Sequence, residues 1–144
     1  MILLDTNLLL RYAAAVDPSY PIVDAAITVL TTRGRALRTV PQNLYEFWVG
    51  ATRPIPVNGL GLSPEECVTA LARIKRLFPV LPDSSTLLAE WESLVARYQC
   101  RGKLAHDARL VAAMRTHGLT ELLTFNGGDF RRFPGITVLD PTHL

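Results

Sequence analysis

Short apolar runs alternate along this chain with longer stretches in which hydrophobic residues recur every three or four positions. The first run, Ile2-Leu3-Leu4, is ended abruptly by Asp5. Runs over 36–40, 121–125 and 136–139 have the same character, and 78–81 adds a shorter one. Apolar runs of this length, bounded by turn residues, predict strands covered on both faces. Helical spacing predicts helices over 7–15, 41–52, 64–77 and 105–117. A further Ala-rich helix follows a break at Pro18 and Pro21 and ends near Gly34, and another starts at Asp83 or Ser84 and reaches about Tyr98. Pro41 and Pro64 suit a first helical turn, where the amide hydrogen that proline lacks would be unpaired anyway. Ser63 ahead of Pro64-Glu65-Glu66 supplies a capping oxygen, followed by acids that favour the positive end of the helix dipole. The Pro and Gly content of 53–62 marks a loop, with Gly59 and Gly61 read as flexible points. Strands alternating with helices predict a three-layer α/β/α fold around a mostly parallel sheet. Nothing in the 144 residues reads as a repeat, low-complexity tract or linker, so one domain over 1–144 is expected.

Composition changes this picture little. Hydrophobic residues at 49% and charged residues at 19% fit a folded chain rather than a disordered one. A formal net charge of +2 is too small to indicate a polyanionic partner by itself. Of 15 basic residues only Lys75 and Lys103 are Lys, so the chain is rich in Arg, whose planar fork matches phosphate oxygens. A general Arg-rich, Ala-rich composition explains the total equally well, and only placement is informative. Cys67 and Cys100 lack any CxxC spacing and fit ordinary thiols of a reducing compartment. No basic residue precedes the first apolar run, which Asp5 and Arg11 interrupt, and no run approaches membrane-spanning length. The expected setting is the cytoplasm, without a membrane partner.

Four acids stand where acids are uncommon. Asp5 follows the first strand directly, and Asp129 lies in the turn just after the strand at 121–125. Both are carboxyl ends of strands, where open α/β sheets bind ligands. Glu46 lies within Leu44-Tyr45-Glu46-Phe47-Trp48-Val49, an otherwise apolar helix segment that can reach the same edge if its helix starts there. Asp107 shares a helical face with Leu110, Val111 and Met114. Taken singly, each has an ordinary explanation: a helix cap for Asp5 or Asp107, a first-turn dipole partner for Glu46, a turn residue for Asp129. Together they predict several carboxylates in one pocket, where some must protonate or a cation must neutralise them. A hard divalent cation with oxygen ligands, Mg²⁺ or Mn²⁺, suits such a set and can activate water for phosphoryl chemistry.

Other motifs are weaker. His106, His117 and His143 lack zinc-ligand spacing. His106, beside Asp107, fits either a proton-transfer role or a surface position. Gly59-Leu60-Gly61 lacks the remaining glycine and the lysine of a phosphate loop, and no nucleophile-elbow motif is present. Arg53, Arg101, Lys103, Arg109, Arg131 and Arg132 lie near the acids in sequence, as a phosphate-tracking rim or as plain solvated surface.

The motifs resemble those of the PIN-domain family, and within it the VapC-type toxins of bacterial toxin–antitoxin pairs. Leu4-Asp5-Thr6-Asn7 matches the first motif, and Glu46 within Asn43-Leu44-Tyr45-Glu46-Phe47 the second. His106-Asp107-Ala108-Arg109-Leu110-Val111 matches the third, and Thr124-Phe125-Asn126-Gly127-Gly128-Asp129 the last, in which a Thr and an Asn support the final acid. Arg109 departs from the pattern, which would place an aliphatic residue there. The resemblance spans essentially the whole chain. It implies a five-stranded parallel sheet, Mg²⁺ or Mn²⁺ held by the four acids, and hydrolysis of RNA to 5′-phosphate and 3′-hydroxyl ends. It also implies that Thr6, Thr124 and Asn126 orient the acids, that a VapB-type antitoxin inhibits the protein, and that the protein forms a homodimer. The helices at 7–15 and 44–49 are candidate partner surfaces, with Trp48 a candidate anchor. A housekeeping RNA-processing nuclease and a non-catalytic scaffold are the competing readings. A haloacid-dehalogenase-type phosphatase would need an acid at position 7, where Asn stands, and a receiver domain would need a second acid beside Asp5.

Overall fold

Strand β1 (Ile2–Leu4) occupies the middle of the sheet in a computed structural model covering residues 1–144. It pairs with β2 (Leu37–Arg38) on one side and β3 (Glu121–Leu123) on the other, and β4 (Thr137–Leu139) lies outside β3. All pairings are parallel. The helices are α1 (Thr6–Ala13), α2 (Tyr20–Thr32), α3 (Pro41–Thr52), α4 (Pro64–Leu77), α5 (Leu87–Arg97) and α6 (Leu104–Thr116).

The alternation of side chains along each strand divides the core in two. Ile2 and Leu4 of β1 and Leu123 of β3 face a cluster with Leu8 and Leu9 of α1, Val23 and Ile27 of α2, Phe47 of α3 and Ile74 of α4. Leu3 and Leu122, paired across the same strands, face the opposite cluster built from α5, α6, Phe130 and Phe133. The sheet is therefore the middle of three layers, and its central strands are apolar on both faces because both are covered.

Several expected boundaries move for local reasons. The sheet has four strands rather than five. The expected fifth, at 78–81, is reduced to a single parallel bridge between Val80 and Thr39. Pro79 and Pro82 flank that bridge, and neither has an amide hydrogen to continue a ladder. Pro21 sits inside the first turn of α2 rather than before it. The fifth helix begins at Leu87, not at Asp83 or Ser84, because 84–86 form a turn in which Ser84 Oγ accepts from Thr86 N–H at 3.2 Å. The capping signal at Ser63 is met in full: Ser63 Oγ accepts from Glu66 N–H and Glu66 Oε1 accepts from Ser63 N–H, both at 3.1 Å.

The segment after α3, read as a flexible loop, is tied down. Residues Ile55–Val57 form a 3-10 turn, and the amides of Gly59, Leu60, Gly61 and Leu62 donate back to Pro54, Gly50, Arg53 and Ala51. Gly59 is required here by space: a Cβ would lie 1.8 Å from the Arg53 carbonyl oxygen. Gly59→Ala should therefore cost about 1–3 kcal/mol, as overpacking typically does, read as a lower urea midpoint at unchanged slope. An unchanged midpoint would mean that this turn gives way freely.

Candidate active site

The chain leaves β1 toward β2 on one side and reaches β3 on the other, so β1 and β3 flank the point where strand order reverses. Such a switch point leaves a crevice at the carboxyl ends of the strands, uncovered by either connection. Asp5, Glu46, Asp107 and Asp129 all line one cleft there, of about 290 Å³.

Asp5 has two tasks. Its Oδ1 caps α1, accepting from Thr6 N–H at 2.7 Å, and its Oδ2 accepts from Thr124 Oγ1 at 2.6 Å and Asn7 Nδ2 at 3.2 Å. The capping and pocket readings of this residue thus hold together. Burial raises its pKa; the bonds from Thr124 and Thr6 oppose the rise, and the charges of Glu46 and Asp129 add to it. Glu46 reaches the cleft because α3 starts directly after the second strand. Thr6 Oγ1 donates to its Oε1 at 3.0 Å. Thr6 is in turn held by Asn43 Nδ2 at 3.2 Å. Fully buried Asn43 also donates to the Leu4 carbonyl at 3.1 Å, and its Oδ1 accepts from Val40 N–H at 2.8 Å, so one amide side chain ties β1, α1 and the start of α3 together.

Asp107 lies in the first turn of α6, and Leu110, Val111 and Met114 on its face are buried as their spacing required. Its Oδ2 is buried without a hydrogen-bond partner. Its pKa is pushed up to about 6, first by burial and then by the charge of Asp129, against an opposing contribution from Lys103. Asp129 sits in a 3-10 turn (Gly127–Phe130), where its N–H donates to the Asn126 carbonyl at 3.0 Å. Lys103 Nζ is 4.0 Å from Asp129 Oδ2, with the lysine side chain 74% exposed, a contact that water screens heavily.

Thr6 and Thr124 each hold an acid by a hydrogen bond. Thr124 holds Asp5, not the last acid, and Thr6 holds Glu46. Asn126 works through its backbone, donating its N–H to Thr124 Oγ1 at 2.9 Å, and is among the residues lining the cleft. Asn7, Asn43 and Gln42 were not singled out from the sequence. Gln42, buried, donates to the His106 carbonyl at 2.8 Å and so joins the helices carrying Glu46 and Asp107. The exposed His106 is also among the residues lining the cleft.

Only part of the expected basic rim is present. Arg53 and Lys103 line the cleft. Arg109 does not: its guanidinium is spent on Asp83 and Gln42, each at 3.1 Å. Arg101, Arg131 and Arg132 are exposed and outside the cleft lining. Trp48 is no exposed anchor; it packs on the core, as do Leu8 and Leu9, and the apolar residues that α3 exposes are Tyr45 and Val49.

The donor set is wholly oxygen. Two buried acceptors, Asp107 Oδ2 and Asn7 Oδ1, have no donor within the chain. Both features fit a hard divalent cation. No three acidic, His or Cys side chains stand close enough together to ligate one ion as they are placed. The carboxylates converge on the cleft without closing into a shell.

A family model described as PIN domain matches residues 2–136. No curated protein matches the chain significantly. Among solved structures, VapBC2 from Rickettsia felis, bound to a DNA fragment from its promoter, superposes with a TM-score of 0.73 at 16% identity, over 97% of this chain and 98% of that one. FitAcB from Neisseria gonorrhoeae gives 0.70 at 21% identity over 100% of both chains. Mycobacterium tuberculosis VapC20, a toxin described as cleaving the sarcin–ricin loop, gives 0.65 at 21% identity over 90% of this chain and 92% of that one.

Proposed function

This chain belongs to the PIN-domain family, and from that premise we propose that it is a divalent-metal-dependent endoribonuclease, acting as the VapC-type toxin of a toxin–antitoxin pair. The observation that carries the proposal is the buried, unpartnered Oδ2 of Asp107 in a cleft shared with three further acids at the strand-order switch. An arrangement held together only by its own chain would bring a donor to that oxygen. In this reading the chain is a single PIN domain over 1–144.

Asp5, Glu46, Asp107 and Asp129 would hold Mg²⁺ or Mn²⁺. When bound, such an ion favours ionisation of water and offsets charge on the phosphodiester. The chain's own residues set the geometry. Thr124 and Asn7 fix Asp5, Asn43 and Thr6 fix Glu46, and Gln42 fixes the start of α6 that carries Asp107. Arg53 and Lys103 bring positive charge to the mouth of the cleft, where the RNA backbone would enter. In the hydrolysis a water oxygen bonds to phosphorus, the bond from phosphorus to the 3′ oxygen breaks, and that oxygen leaves with a proton. The ends formed are a 5′-phosphate and a 3′-hydroxyl.

The toxin role is supported by the likeness to VapBC and FitAB structures and to a toxin–antitoxin complex from Klebsiella pneumoniae. A VapB-type antitoxin and a second copy of the chain are the partners this reading implies. Exposed Tyr45, Val49, Ile55 and Val57 offer apolar surface for such assembly. The proposed location is the cytoplasm; no helix is long and apolar enough to cross a membrane.

The test is total cellular RNA incubated with purified, antitoxin-free protein and Mn²⁺, with and without chelator. Discrete fragments bearing 5′-phosphates, lost with chelator, are expected. Intact RNA in all lanes from folded protein would sink the proposal.

A further inference from the structure

A second groove opens out of the acidic cleft. It measures about 410 Å³ and shares Asn7, Leu10, Gly50 and Asn58 with the cleft, so the two are continuous. The shared floor exists because α1 and α3 touch closely there: a Cβ on Gly50 would lie 2.8 Å from Leu10 Cδ1. Arg11, one helical turn beyond Asn7 on α1, lines the far end. That turn carries it roughly 6 Å further along the groove.

Arg11 is held in an unusual way. Its guanidinium carbon lies 4.4 Å from the centroid of the Phe125 ring, and its Nη1 donates to Ser19 Oγ at 2.9 Å. Asp17 shares the groove, but its Oδ1 is engaged by Ser19 N–H at 2.7 Å, and Arg11 enters none of the ion pairs of the molecule. Arg11 is therefore oriented by a ring and a hydroxyl and forms no ion pair, although Asp17 lines the same groove. A fork already fixed in place loses little freedom when it takes a phosphate oxygen. Apart from Leu10, Leu60 and Pro18, the lining is polar, charged or glycine, which suits a hydrated backbone rather than an apolar helix. Arg11 carries no local signal, because its ring partner lies far away in the chain at position 125.

We propose that this groove holds the single-stranded RNA flanking the scissile phosphate, with Arg11 on Phe125 binding a backbone phosphate of that flank. The proposal rests on the ribonuclease reading of the cleft. It makes Arg11 a substrate-binding residue remote from the four acids, so its loss should affect affinity and leave the chemical step alone.

The experiment measures cleavage of a labelled single-stranded RNA of random sequence, with Mn²⁺, over a range of salt. Wild type is compared with Arg11→Met, Arg11→Lys and the exposed control Arg101→Gln. Arg11→Met should raise KM about tenfold with kcat unchanged, and should lower the slope of log affinity against log salt by about 0.7, the share of one phosphate on a single strand. Arg11→Lys keeps the charge and should retain the slope with an intermediate KM; it also serves if the Met variant folds poorly. Arg101→Gln should match wild type. An active wild type whose KM and salt slope are unchanged in both Arg11 variants overturns the groove assignment alone, leaving the groove to a protein ligand. A wild type that neither binds nor cuts RNA overturns the ribonuclease reading, and this proposal with it.

Discussion

Asp107→Asn should make the ion-free protein more stable at neutral pH while slowing RNA cleavage at least about a hundredfold, the upper range for losing even the hydrogen-bond partner of a metal ligand. Both effects come from one carboxylate. In the folded chain its pKa is about 6, raised from 3.8 by burial and by Asp129. The folded state therefore holds this proton more tightly than the unfolded chain does. Stability contributed by the protonated group is complete below about pH 4 and is lost as pH rises through about 6. In chelator, the melting temperature of wild type should fall across that window. The Asn variant, which keeps the shape without the charge, should not share this fall. Added Mn²⁺ should restore the wild type at pH 7 and leave the variant largely unmoved. The proposed cleavage would use the ionised form, so its acid limb should move to lower pH as Mn²⁺ concentration rises. Parallel melting profiles for the two proteins would show that Asp107 is not under electrostatic strain.

Asn43→Leu should cost about 3–5 kcal/mol, because it strands several buried groups at once. The Val40 N–H, the Leu4 carbonyl and Thr6 Oγ1 all lose their bonds to Asn43. Leucine branches at the same carbon but is the larger side chain, so no cavity is left, and the loss combines the stranded hydrogen-bonding groups with some overpacking at this fully buried site. The measurement is the urea midpoint at unchanged slope. Cleavage should also fall, since Thr6 would no longer be held against Glu46. A cost below about 1 kcal/mol would mean that water or a local shift replaces the amide, and the network would then be incidental. Asn43→Asp separates the two halves of the side chain: the bond from Val40 N–H can persist while an ionised oxygen opposes the Leu4 carbonyl.

Three of the four acids stood out in sequence because each violates a local rule, while Asp129, in a turn, stood out only by its place after a strand. Asp5 ends an apolar strand, Glu46 interrupts an apolar helix segment, and Asp107 shares a face with residues that must be buried. Helix starts such as Ser63 were legible because capping is settled within four residues. What failed to show was set by partners distant in the chain. Arg109 looked available for phosphate until Asp83, 26 residues away, and Gln42, 67 away, were found holding it. Thr124 looked like a support for nearby Asp129, yet its hydroxyl goes to Asp5, 119 residues back. Asn43 carried no local signal, since an Asn in a first helical turn is ordinary. The fifth strand was overcounted for another reason. An apolar run shows that a segment wants to be buried, but only its amide hydrogens decide how far a ladder extends.

That shortened strand also governs how other chains can meet this one. A sheet edge normally offers a row of free N–H and C=O groups, a template on which a foreign strand can add or copies can aggregate. Beyond β2 the edge is a single residue, Val80, because Pro79 and Leu81 direct their bonds inward to Thr39 and Pro82 has no hydrogen to give. A strand arriving from outside would find one backbone donor and then none. Recognition on that side must go through side chains, and a Pro82→Val exchange would turn a protected margin toward a sticky one.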